Sequence, residues 1–119
     1  MPTSEWKYPK IQNILGDPHQ KILLEDYFIM GYSIPAGFIF DGASIPGVAK
    51  WYVDDDDHLL PAALVHDYLY VNQPCTRKEA DHIFWEIMIY TGVRRSQAYV
   101  CWLAVRIGGW RPWNRRKDQ

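Results

Sequence analysis

Along the first fifty residues, apolar positions come in short runs punctuated by Gly and Pro. Ile22 to Ile29 is rich in β-favouring residues, Gly31 interrupts it, and Tyr32 to Ile34 begins a second run. Phe38-Ile39-Phe40 is a third, entered through Pro35 and Gly37. Runs this short, bounded by turn formers, predict two or three strands joined by tight turns. Beyond residue 58 the period becomes helical. Pro61 suits a first helical position, and Ala62, Val65, His66 and Leu69 recur at helical spacing, which predicts a helix over 61–71. Asn72 to Cys75, with Pro74 inside it, reads as a turn. Thr76 and Glu79 form a capping box that opens a second helix over 76–91, stopped by Gly92. A third helix over 94–107 carries Ala98, Cys101, Trp102 and Val105 on one face and ends at Gly108-Gly109. The tail is expected to be extended or frayed, with its Trp residues packing back on the body.

The expected fold class is therefore α+β: a small N-terminal antiparallel hairpin or sheet packed on a three-helix C-terminal part. With 119 residues the chain suits one domain, β-rich over 1–50, helical over 58–109 and basic and aromatic over 110–119. A hydrophobic content of 48% and an aromatic content of 15% suffice for a core and argue against disorder. No apolar run is long enough to span a bilayer, and no basic start followed by an apolar stretch suggests a secretory signal. Two cysteines, Cys75 and Cys101, make neither a disulfide framework nor a four-ligand zinc site, so a reducing compartment is expected. A net charge of −1 identifies no partner. Its distribution adds an acidic run, Asp54 to Asp57, and a basic end with Arg106, Arg111, Arg115, Arg116 and Lys117. Both suit solvated segments; the basic end with Trp110 and Trp113 also suits phosphates or lipid headgroups.

The chemistry-bearing residues sit on the first two helices. Asp81, Phe84, Trp85 and Met88 lie at i, i+3, i+4 and i+7, so a carboxylate shares an apolar stripe and needs partners there. His66 shares a stripe with Ala62 and Leu69. A link of about four residues lets the two helices pack side by side, bringing Asp81 to His66 across the seam. A carboxylate accepting from one imidazole nitrogen fixes the tautomer and leaves the other as a base. Tyr70, one turn after His66, has a hydroxyl within reach of Asp81 or the imidazole. Asp67, rotated by about 100° from His66, points beside it toward the strand-to-helix loop. In that loop, Phe40-Asp41-Gly42-Ala43-Ser44-Ile45-Pro46, the Asp41 carboxylate is an oxygen ligand of the kind that suits Ca²⁺. The loop also reads simply as a turn leaving the sheet. His19 falls in a turn-like stretch, His58 follows the acidic run, and His82 adjoins Asp81 on another face. Ser44 lacks a G-x-S-x-G elbow, which argues against a serine hydrolase.

Two resemblances follow. Ile34 to Phe38, Phe40 to Pro46, Val65 to Tyr70 and Ala80 to Phe84, with Ala104-Val105-Arg106 and Gly109-Trp110-Arg111 after them, resemble in order a family of uncharacterised bacteriophage and prophage proteins, domain of unknown function 1353. That resemblance implies a phage origin, and with it the host cytoplasm or the virion. Over residues 62–88, His66-Asp67-x-x-Tyr70 followed by Asp81 is similar to the helix pair of the phospholipase A2 superfamily. This implies His66 as general base, Asp81 as its orienter, Tyr70 as support, and Asp67 with Asp41 as Ca²⁺ ligands. The superfamily's paired cysteines before the His are Ala62-Ala63 here, and its Gly-rich calcium loop is not visible.

Three readings compete. One is a phage-encoded esterase with a water-activating His–Asp site and a possible lipid substrate. A second is a non-enzymatic virion, assembly or host-protein-binding component in which the same cluster is a structural staple. The third, nucleic-acid binding, rests on the basic tail alone and is the weakest.

Overall fold

The computed structural model describes residues 6–40 and 57–117 and has the expected α+β architecture, strands first and helices after. The strands are β1 (Ile11–Ile14), β2 (Asp17–Leu23), β3 (Tyr27–Ile29), β4 (Tyr32–Ile34) and β5 (Ile39–Phe40). β2 is central to an antiparallel sheet of order β1-β2-β5, and β3 pairs with β4 as a separate hairpin. Met30 and Gly31 link that hairpin with φ of 48° and 84°. Positive φ at both central residues makes a type I′ turn, whose twist matches the strands. Tyr27, Ile29 and Ile34 are thereby turned into the core.

The strands differ from expectation in two ways. The run Ile22 to Ile29 is not one strand, because β2 ends at Leu23 and the chain bends before β3. Here the Asp26 carboxylate accepts from the Ala36 N–H at 2.8 Å. Conversely, β1 and the first half of β2 lie in a polar stretch, so His19 belongs to a strand rather than a turn. Only half of β1 is partly buried, so it lacks the clean alternation that marks a strand in sequence. Pro18 is tolerated because it lies at the start of β2, beside a register shift at Asn13/Ile14. The segment before β1 is held by the Tyr27 hydroxyl, which donates to the Lys7 carbonyl at 2.5 Å.

The helices are α1 (Leu60–Asn72), α2 (Arg77–Tyr90), α3 (Arg95–Gly108) and α4 (Trp110–Lys117). α1 follows a short 3₁₀ turn at Asp57–Leu59 and is buried from Pro61 to Asp67 and again at Leu69 and Tyr70. Apolar side chains on nearly every face make it a core helix rather than an amphipathic one. It touches β4, β5, α2 and α4. Its position decides the character of the site, because the polar side chains of its middle, His66, Asp67 and Tyr70, are inside the protein. Gln73 closes α1 in a left-handed conformation, its N–H bonded to the Leu69 carbonyl. α2 then starts on the expected capping box, with Thr76 and Glu79 bonding reciprocally. Ala80, Asp81, Phe84, Ile87 and Met88 form its buried stripe, while Trp85 is only partly covered. α3 buries Ala98, Cys101 and Val105. Cys75 and Cys101 are not joined in a disulfide.

The expectation of an extended or frayed tail is corrected: residues 110–117 form α4. Gly109 does end α3, but with φ −75° and ψ −10° it keeps a right-handed turn that leads directly into the next helix. Pro112 falls within the first turn of α4, where a missing N–H is tolerated. The Trp113 ring meets Tyr70 edge-on at 5.0 Å, and its carbonyl accepts from the Gln73 amide at 2.8 Å. These two contacts seat α4 against the end of α1. Among the described residues no helix is long and apolar enough to cross a membrane.

Candidate functional site: a buried carboxylate between three helices

The Thr76–Glu79 cap sets the start of α2, so Asp81 falls on its buried stripe facing α1. His66 and Tyr70, one turn apart on α1, meet it there. His66 Nε2 lies 2.8 Å from Asp81 Oδ1, and the Tyr70 hydroxyl donates to the same oxygen at 2.7 Å. All three residues have 0% solvent exposure. The sequence expectation that His66, Tyr70 and Asp81 converge is thus met in geometry. The imidazole also packs between aromatic rings, with centroids 4.3 Å from Tyr70 and 4.6 Å from Phe84.

The other carboxylate oxygen holds partners that the spacing argument missed. Arg106 Nη1 donates to Asp81 Oδ2 at 2.7 Å, and Arg77 Nη1 lies 3.4 Å from it. Arg77 has a second task. Its guanidinium donates to the carbonyls of Val105 and Arg106, at 3.0 Å and 3.3 Å, in the last turn of α3. Those carbonyls form the negative end of a helix dipole, where a cation is favoured. Arg77 was visible as the i−4 neighbour of Asp81. Arg106 lies 25 residues from Asp81, and no local pattern announces such a pairing. It also lines an open groove of about 440 Å³ with Lys78, His82 and Trp102, so the outer side of the network reaches the surface.

Burying a lone carboxylate costs several kcal/mol. Asp81 therefore accepts from an imidazole, a phenol and two guanidinium groups. With guanidinium charge on Oδ2, Oδ1 acts as acceptor for both inner partners, an arrangement that suits the tautomer of His66 with its proton on Nε2. Burial first, and the adjacent Asp81 carboxylate second, push the Tyr70 phenol far above its ordinary value. It stays a hydrogen-bond donor at any physiological pH.

Gly109 completes the arrangement by its size. A Cβ there would collide with the Tyr70 hydroxyl and the Val105 carbonyl and come within 3.2 Å of Arg77 Nη1. The glycine is required for space, since its φ is one that any residue adopts.

Of the remaining expected residues, Asp67 and His82 fall within the described part of the chain and Asp41 and Ser44 do not. Asp67 is buried at 1% exposure on α1. Asp41, its expected partner in a Ca²⁺ site, lies outside the described residues, as does Ser44. Among the described residues, no three His, Cys, Asp or Glu side chains are grouped to hold a metal ion. His82 is exposed, lies 3.7 Å from Glu86 and lines the groove with Arg106. The His58 carbonyl accepts from Thr91 Oγ1 at 2.7 Å.

Fold and site together describe an α+β protein built around a buried imidazole–carboxylate pair. The chain belongs to DUF1353, a family described as protein of unknown function, whose model matches residues 22–105. That span contains His66, Asp67, Tyr70, Arg77 and Asp81, and stops one residue before Arg106. The chain is also similar to "Uncharacterized protein y4iH" of Sinorhizobium fredii (strain NBRC 101917 / NGR234), 28% identical over 100 residues that cover 78% of this chain and 42% of that protein. This chain therefore spans less than half the length of that relative. No solved structure matches it.

Gly109→Ala tests the packing. It should displace Tyr70 or Arg77 from Asp81 and destabilise the fold by about 1–3 kcal/mol, read by urea denaturation. Unchanged stability would show that the close approach of Gly109 to Tyr70 is not needed.

Proposed function

We propose that this protein is a hydrolase in which His66 is the general base that activates water, Asp81 holds the imidazole, and the substrate is an ester of the phospholipid class. The observation that supports it most is the 2.8 Å contact of His66 Nε2 with Asp81 Oδ1 while Tyr70 and Arg106 fix both oxygens of that carboxylate. A base must be held in one tautomer and one orientation, and this arrangement supplies both. On this reading Nδ1 takes a proton from water as the water oxygen bonds to the ester carbonyl carbon. Asp81 then balances the imidazolium charge. The same proton passes to the departing alkoxide as the ester C–O bond breaks, which restores neutral His66. The substrate class rests on the similarity of residues 62–88 to the phospholipase A2 helix pair, and a phage setting rests on the ordered motifs alone.

Calcium suits the donor chemistry, since Asp67 is a buried carboxylate next to His66 and Asp41 offers another hard oxygen. When bound, such an ion supplies positive charge for a developing oxyanion. The second reading is the staple, favoured by the complete burial of His66, because a water-activating base has to meet water.

His66→Gln separates the two readings. The hydrolytic reading expects wild-type protein to cleave mixed phosphatidylcholine and phosphatidylglycerol vesicles with release of fatty acid, and expects the variant to keep near-wild-type stability with activity at least about 100-fold lower. Absence of hydrolysis by the wild type with calcium present, together with a destabilisation of about 1–3 kcal/mol in the variant, contradicts it and supports the staple. Calcium itself is checked by melting. It should raise the wild-type Tm, as any ligand of the folded state does, and leave Asp67→Asn unmoved. Equal melting curves with and without millimolar calcium would remove the metal from the proposal.

A further inference from the structure

α3 is apolar on two sides. Ala98, Cys101 and Val105 face the core, and a surface helix normally carries polar residues opposite such a face. Here Tyr99, Leu103 and Ile107 follow one another at i, i+4 and i+8 on the far side, 53%, 38% and 68% exposed. Trp110, the first residue of α4, adds another exposed ring. Each helical step of four residues advances about 40°, so the three α3 side chains form one slowly turning stripe. Exposed arginines flank this stripe in sequence. Arg94 and Arg95 are exposed at the start of α3, and Arg111 and Arg115 are exposed one turn apart on α4. The Arg111 guanidinium lies 5.2 Å from the centre of the Trp110 ring.

The charge is lopsided along the sequence as well. Residues 87–117 hold seven Arg and Lys and no Asp or Glu, whereas the chain as a whole has a net charge of −1. That stretch of sequence carries +7 and the rest of the chain −8, with Arg106 of the stretch paired to Asp81. The family match ends at Val105, so Ile107, Trp110 and the α4 arginines lie beyond it.

We propose that the outer face of α3 and α4 is a docking surface for an anionic lipid bilayer. Arginines meet lipid phosphates, Tyr99 and Trp110 sit at headgroup level, and Leu103 and Ile107 enter the acyl boundary. The aliphatic pair distinguishes lipid from the other large polyanion, nucleic acid. Single strands are bound through aromatic stacking and duplexes through polar and cationic contacts, and neither gives exposed Leu and Ile an apolar partner. The surface lies apart from His66, and the proposal stands without the hydrolytic reading because its test measures binding alone.

The test is co-flotation of the full chain with vesicles, supported by Trp fluorescence, at two salt concentrations. Binding should be strong to phosphatidylcholine vesicles containing phosphatidylglycerol, weak to pure phosphatidylcholine, and reduced by added salt. Leu103→Ser with Ile107→Ser, and separately Arg111→Gln with Arg115→Gln, should each weaken binding at least about tenfold while circular dichroism stays that of wild type. All four positions are exposed, so folding is not at stake. No flotation with anionic vesicles overturns the proposal. So does equal binding to both vesicle types, or variants that float as well as wild type. Tight binding of a DNA or RNA oligonucleotide without vesicle binding would reassign the face to nucleic acid. Sedimentation as a dimer that Leu103→Ser with Ile107→Ser converts to monomer would reassign it to a second copy of the chain.

Discussion

A carboxylate with no contact with solvent organises this molecule. Asp81 is fully buried, and its four bonded partners come from three helices: His66 and Tyr70 from α1, Arg77 from its own helix, and Arg106 from the end of α3. Removing any one of them leaves part of a buried carboxylate unsatisfied, at a cost of about 1–3 kcal/mol. Three helices are therefore held in one relative position by one side chain, and apolar packing fills the space around it. Nonspecific burial of Leu, Ile and Phe would tolerate a shift of register. Hydrogen bonds of 2.7–2.8 Å to both oxygens of one carboxylate would not.

The same arrangement has a chemical and a mechanical face. Arg77 couples Asp81 to the C-terminal carbonyls of α3, and Gly109 lets Tyr70 approach the turn into α4. Trp113 packs on Tyr70 from α4. A change in the orientation of His66 is thus linked through Tyr70 to the seat of the last helix, and that helix carries part of the basic, apolar-striped surface. The acidic majority of the chain and its basic end are separated in sequence, a pattern that fits the proposed docking on an anionic surface.

How much of this the residues disclose in advance depends on range. α1 and α2, the Thr76–Glu79 cap, and the meeting of Asp81 with His66 and Tyr70 follow from helical spacing and a short link, all of it local. Arg106 does not, because its partner is 25 residues away and the surrounding pattern reads only as an apolar helix with a basic end. β1 and His19 were obscured because a partly covered hairpin is held by its backbone ladder and needs no alternating apolar side chains. The helix at 110–117 was hidden behind Gly108-Gly109 and Pro112, residues that usually interrupt a helix. Contacts of Trp113 with Tyr70 and Gln73 outweigh that local signal.

The account depends most on where the His66 proton sits. Nitrogen-resolved NMR of the histidine rings near neutral pH reads it directly, with Asp81→Asn as the reference. The expected result is an Nε2 proton on His66, slow to exchange and hydrogen-bonded to Asp81, whose signal is lost or moved in the variant. A proton on Nδ1, or an Nε2 resonance that exchanges freely and ignores Asp81→Asn, would contradict it.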